Sequence, residues 1–160
     1  MKKFISFLIL IIYFCLSSNV FAEDVTTLTG SVSMVPQSFY GMWRVLSKLD
    51  DTDNPQVFKK SGIDLWNLSK TNDVIILCNP FNGANAEIKI DKVDNNFIVF
   101  KKIGKSGNKQ FTDIVEMQLD GENFIGIDKI KLDTFVNGKI MKSEMAVYSI
   151  KGEKISGEIK

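Results

Sequence analysis

The chain has 160 residues, with 20 Lys and Arg against 19 Asp and Glu, and it contains no histidine. The lack of histidine removes the commonest general base, the Ser-His-Asp triad and most zinc sites. Arg44 is the one arginine and the lysines are dispersed, whereas phosphate binding needs clustered cations. We therefore expect no enzyme activity, no nucleic-acid binding, and no cofactor or metal site.

Residues 1–22 have the composition of a secretory signal peptide. Two lysines precede an apolar run from Phe4 to Leu16, and Val20-Phe21-Ala22 offers short residues at a cleavage site. The apolar run is about 13 residues long, shorter than the roughly 20 residues of a membrane span. We expect cleavage after Ala22 and export to the periplasm or the extracellular space, without a transmembrane span in the mature chain. Retention of the segment as an anchor is the alternative.

Removal of residues 1–22 would change the net charge from +1 to −1 and leave Cys78 as the one cysteine. Because a single cysteine cannot form an intramolecular disulfide, the exported domain would depend on its hydrophobic core. Cys78 closes an apolar run, which indicates a buried and inert thiol. A short signal with two lysines and no disulfide pair favours a bacterial source.

Residues 23–37 are rich in Thr, Ser and Val without a clear period, and we expect a flexible leader that becomes ordered near Pro36. We expect residues 38–160 to form one all-β domain. Short strand-like runs separated by turn residues predict eight or nine antiparallel strands, spaced about 8–14 residues apart. They lie at 42–49, 62–69, 74–79, 84–93, 96–103, 111–119, 124–132, 140–150 and 155–159, with a turn at Lys151–Lys154 before the last.

The connections between the predicted strands are short. Sequential hairpins favour an up-and-down meander that closes into a barrel, and a β-sandwich with longer crossings is the alternative. Between Phe124 and Leu132 the apolar residues change parity near Asp128, which predicts a β-bulge.

The segment Phe39–Val45 contains Gly41-Met42-Trp43 after a lead-in with Pro36. This Gly-x-Trp pattern resembles the start of the first strand in lipocalins and related calycin-type barrels, and an avidin-like barrel would share the architecture. The resemblance implies that the lead-in crosses the closed end of the barrel and that Trp43 plugs it. Lipocalins usually place an arginine late in the barrel against this tryptophan, whereas this chain offers only lysines such as Lys151 or Lys154.

An eight-stranded barrel is either filled by side chains or just wide enough for one small ligand. Large apolar residues on the predicted strands could line such a pocket, and nearby polar residues could orient the ligand. The candidate ligand-binding residues are Trp43, Asp64, Trp66, Asn67, Phe97, Met117 and Tyr148. We expect a non-enzymatic binding protein for a small apolar ligand, with a side-chain-filled barrel as the alternative.

A second interpretation is a protein–protein interaction module of the cell envelope, or a secreted inhibitor. The strands at 74–78 and 97–100 are apolar on both faces, whereas a small barrel needs only one apolar face. Their outward side chains would form an exposed patch of the kind that marks a partner surface. Coverage of both strands by the leader would explain the same pattern.

Overall fold

The computed structural model describes residues 31–156, so the signal peptide predicted at residues 1–22 lies outside the described residues. Strands in this range are β1 Gly41–Thr52, β2 Ser61–Thr71, β3 Val74–Cys78, β4 Asn85–Asp94, β5 Phe97–Ser106, β6 Lys109–Asp120, β7 Asn123–Val136 and β8 Lys139–Ser156. Each strand pairs antiparallel with the next, and β8 also pairs antiparallel with β1. The all-β up-and-down meander is confirmed, and because the sheet closes on itself the sandwich alternative is wrong.

Alternation of apolar and polar residues sets which face of each strand lies in the barrel. Along β6, Val115, Met117 and Leu119 are buried, while the side chains between them are more exposed. The hairpin turns use residues that tolerate positive φ. Asn137 and Gly138, with φ of 51° and 76°, form the two-residue connection from β7 to β8.

The end of the barrel that carries the start of β1, called the closed end below, is covered by residues 31–40. This segment forms 3-10 turns at Val32–Met34 and Gln37–Phe39, and both Val35 and Phe39 are buried. The sequence predicts that the leader spans residues 23–37 and becomes ordered only near Pro36. The part of it that the structure describes, residues 31–37, packs on the barrel from before Pro36.

Trp43 is fully buried beneath this segment, and its indole Nε1 donates a hydrogen bond of 3.0 Å to the carbonyl of Phe39. The ammonium of Lys154 lies 5.3 Å from the centre of the Trp43 ring and donates a 3.0 Å hydrogen bond to the carbonyl of Ser38. This lysine therefore ties the last strand to both the tryptophan and the lead-in, through a cation–π contact and a hydrogen bond.

The turn predicted at Lys151–Lys154 is wrong, because β8 runs through these residues to Ser156. Gly152 serves packing there instead: a Cβ atom at this position would lie 1.9 Å from Cε1 of Phe124. The ring of Phe124 occupies the space that the glycine leaves. It contacts Trp43 edge-on, with ring centres 5.3 Å apart, and stacks on Trp66 at 6.2 Å.

The bulge predicted near Asp128 is also wrong. β7 pairs with β6 and with β8 in continuous register on both sides of this residue. Phe124, Asp128 and Leu132 share the inward face and are buried, whereas Ile125 and Ile127 point outward and are exposed. The apparent change of parity thus arises from apolar residues on the outer surface and a charged residue inside the barrel.

Candidate functional site

The end of the barrel opposite the closed end contains unfilled space, and we call it the cavity end. The connection from β1 to β2, residues 53–60, folds over this end and places the buried Phe58 side chain in its mouth. The hydroxyl of Tyr148 donates a 3.0 Å hydrogen bond to the carbonyl of Lys59. The amide of Asn54 donates to the carboxylate of Glu144, and main-chain hydrogen bonds join Asp53 to Met145 and Lys60 to Leu49. The connection is therefore held at both of its ends and beside Phe58.

Two adjoining cavities of about 330 and about 380 Å³ lie beneath this connection. Residues that line both are Phe58, Asp64, Trp66, Lys102, Asp113 and Ile130. Each volume falls within the range of small-molecule sites, and the walls combine aromatic side chains with a few polar groups, as such sites usually do.

The two cavities begin where the aromatic packing of the closed end stops. Trp66 lines both of them and stacks on Phe124, which in turn contacts Trp43. Trp66 forms the floor of the cavity end, and Phe124 and Trp43 support it from the closed end. One half of the barrel is therefore filled by side chains, and the other half has room for a ligand.

Three charged side chains from adjacent strands face this space. Lys102 of β5 is directly opposite Asp113 of β6, and its Nζ lies 2.7 Å from Asp113 Oδ2. Asp128 of β7 is opposite Tyr148 of β8. Asp113 and Asp128 are only 6% and 8% exposed. Burial of carboxylates is unfavourable unless their oxygens are paired.

The surroundings of Asp128 favour its protonated form. Burial raises the pKa of this carboxyl to about 7, with the negative charge of Asp113 adding to the effect and the positive charge of Lys102 opposing it. Burial also raises the pKa of the Tyr148 hydroxyl, with a further contribution from Asp128. The interior of the cavity end therefore contains an acid that titrates near neutral pH.

Among the residues predicted from the sequence to bind a ligand, the structure brings three together on the cavity walls. Asp64 and Trp66 line both cavities and Tyr148 lines the smaller one. Asp64 accepts a 3.2 Å hydrogen bond from the indole Nε1 of Trp66 and a second hydrogen bond from the side-chain amide of Asn79. Asp64 thereby fixes the orientation of the tryptophan.

The other four predicted residues lie away from the two cavities. Trp43 and Met117 are fully buried in the packed core. Asn67 lies between the inward-facing residues of β2, on the outer face, and is half-buried. Phe97 is half-buried at the start of β5, where the ammonium of Lys92 lies 5.4 Å from the centre of its ring.

Sequence reasoning missed Phe58, Lys102 and Asp128 as residues of the site. Phe58 belongs to a connection without periodic pattern, so nothing in its neighbourhood indicates burial. The sequence does contain a signal for Lys102 and Asp128, because the alternation along each strand places them on the inward face. Lys102 follows Ile98 and Phe100 on the same face of β5.

The outward residues of the strands at 74–78 and 97–100, predicted to form a partner surface, are half-buried. More exposed apolar side chains lie elsewhere on the barrel. Leu46 of β1 and Ile63 of β2 are directly opposed and are 50% and 73% exposed.

Within residues 31–156, no group of three or more His, Cys, Asp or Glu side chains is arranged to hold a metal ion. In the same part of the chain, no helix has both the length and the apolar character to cross a membrane. Comparison of the chain with protein-family models, with curated proteins and with solved structures gave no match.

Proposed function

We propose that this protein is an exported, non-enzymatic binding protein that holds one small, largely apolar molecule in the cavity end of its barrel. The observation that carries the proposal is the pair of adjoining cavities, about 330 and about 380 Å³, between the ring of Phe58 and the ring of Trp66.

The contrast between the two ends of the barrel supports a ligand over a filled interior. At the closed end Trp43, Phe124 and Met117 are almost completely buried. At the cavity end, walls of aromatic and charged side chains border space of the size that metabolite-sized molecules occupy.

The connection at residues 53–60 supplies an entrance that can open. Phe58 lines both cavities, which are already partly open to solvent, so its displacement would widen their opening. Hydrogen bonds of Asp53 and Asn54 hold the start of the connection, and the hydrogen bond from Tyr148 to the carbonyl of Lys59 holds the part beside Phe58. A ligand that displaced Phe58 would break the hydrogen bond between Tyr148 and Lys59 beside it.

A lipocalin-like relationship is part of the proposal, and the closed end supports it. Trp43 lies in the first strand under the lead-in, and Lys154 of the last strand packs on its ring at 5.3 Å. In this interpretation Lys154 takes the place of the arginine that lipocalins use.

Binding of N-phenyl-1-naphthylamine, an uncharged probe whose fluorescence rises in apolar surroundings, tests the proposed function. We expect saturable binding by the wild-type protein and a large loss in Ala86→Phe, because Ala86 lines the larger cavity. Glu87→Phe is the matched control, since Glu87 is the exposed neighbour on the same strand. Equal binding by both variants would place the probe outside the barrel and contradict the proposal.

A protein partner is the second candidate, favoured by the exposed pair Leu46 and Ile63 on the outer surface. Sedimentation velocity of the wild type and of a Leu46→Lys, Ile63→Lys double variant tests self-association through this pair. Identical monomeric behaviour of the two proteins would remove a homodimer from consideration.

A further inference from the structure

The buried carboxylates at the cavity end are only partly satisfied. Oδ2 of Asp113 is paired with Lys102 at 2.7 Å, but Oδ1 has no hydrogen-bond partner among residues 31–156. Oδ1 of Asp128 likewise lacks a partner within the described residues. Both side chains are more than nine-tenths buried, and both line the smaller cavity. Two buried carboxylates, each with one oxygen that is unpaired among the described residues and that solvent does not reach, therefore border this space.

The charges in the cavity are also unbalanced. Three acids, Asp64, Asp113 and Asp128, and two lysines, Lys59 and Lys102, line the smaller cavity, so one negative charge is in excess when all five are ionised. The remaining negative charge lies in a desolvated site, where a charge is unfavourable unless it is paired. An occupant with a positive charge and several N–H donors would satisfy the oxygens and the charge together, and an ammonium group has three such donors.

We propose that the smaller cavity recognises the protonated amine of a ligand through Asp113 and Asp128, while the apolar body of the ligand packs against Trp66 and Phe58. This inference rests on the proposed function and adds the chemical class of the ligand, an amphipathic amine. An anionic ligand would face two carboxylates, so the same geometry selects against acids.

The proposal implies a pH dependence. The groups that face Asp128 and its cavity are Lys102 on β5, Asp113 on β6, Tyr148 on β8, Asp64 on β2 and Lys59 in the connection. Asp128 is the member of this group that titrates near neutrality. Because ammonium binding favours ionised Asp128, a proton is released on binding below neutral pH. Affinity should therefore rise about tenfold from about pH 6 to about pH 8 and then level off.

Calorimetric titration of the purified protein with three indoles of similar size tests the inference. Tryptamine carries a protonated alkylamine across this pH range, 3-ethylindole is uncharged, and indole-3-propionate is an anion. We expect tryptamine to bind at least about tenfold more tightly than the other two, since charge-assisted hydrogen bonds are the stronger ones. Asp128→Asn should lose this preference, while Glu116→Gln, a change of an outward acid on β6, should keep it.

The outcomes separate the inference from the proposed function. Similar affinities for all three indoles, or a preference for the anion, would overturn the amine assignment and leave a binding protein for apolar ligands. No binding of any indole at about 1 mM would count against both proposals. The pH profile of the wild-type protein gives an answer even if a variant fails to fold, and a flat or falling profile for tryptamine would overturn the inference.

Discussion

Stability of the ligand-free protein should fall as the pH rises from about 5 to about 8, and Asp128 should be the cause. In the unfolded chain the pKa of an aspartate is 3.8, and in the folded barrel the pKa of Asp128 is raised to about 7. Between these values the folded state binds more protons than the unfolded state, so the free energy of unfolding decreases with pH. The full difference between the two pKa values lowers the free energy of unfolding by about 4 kcal/mol. About 3 kcal/mol of this loss falls between pH 5 and pH 8.

Urea unfolding at several pH values, followed by the fluorescence of Trp43 and Trp66, measures this dependence on refolded protein free of ligand. Asp128→Asn removes the titrating group while keeping its shape, so its stability should be nearly independent of pH in this window. The variant should exceed the wild type by about 1–2 kcal/mol near pH 5 and by about 4 kcal/mol near pH 8. Glu116→Gln should keep the wild-type slope, because this acid faces outward and pairs with Lys129 at 2.6 Å. An unchanged slope in Asp128→Asn would refute the reasoning.

Two further predictions concern the closed end. Trp43→Ala should lower the free energy of unfolding by about 3–5 kcal/mol, because it leaves a cavity in the core. Chemical denaturation measures this change, and unchanged stability would show that Trp43 is not part of the core. Gly152→Ala should lower stability by about 1–3 kcal/mol or more, because the added Cβ would lie 1.9 Å from the ring of Phe124. If thermal unfolding of that variant matches Gly104→Ala, where a Cβ meets nothing within 4 Å, the packing role of Gly152 is wrong.

The architecture could be predicted because strand alternation and turn residues are local properties of the sequence. Val115, Met117 and Leu119 show the buried face of β6 directly, and Asn137-Gly138 is a hairpin turn by its chemistry. The errors came from residues whose role depends on distant partners. Gly152 is a residue type typical of turns, but here it is required because the ring of Phe124, distant in sequence, packs against it.

The aromatic part of the site was also partly predictable, since Trp66 and Tyr148 lie on strands and are large enough to form walls. The charged part was not, because a lysine or aspartate within a strand is ordinarily taken to face water. Asp128 was interpreted through its apolar neighbours as the point of a bulge. The register of β7 against β6 and β8 decides between the two parities and shows that Asp128 faces inward.

Native mass spectrometry of the protein, purified gently from its own host, tests the central claim of a ligand-holding barrel most directly. The account predicts a non-covalent adduct of small-molecule mass that is lost on denaturation and is reduced in Ala86→Phe but not in Glu87→Phe. A bare polypeptide mass in every preparation would contradict the account and favour a barrel whose cavity end has no natural occupant.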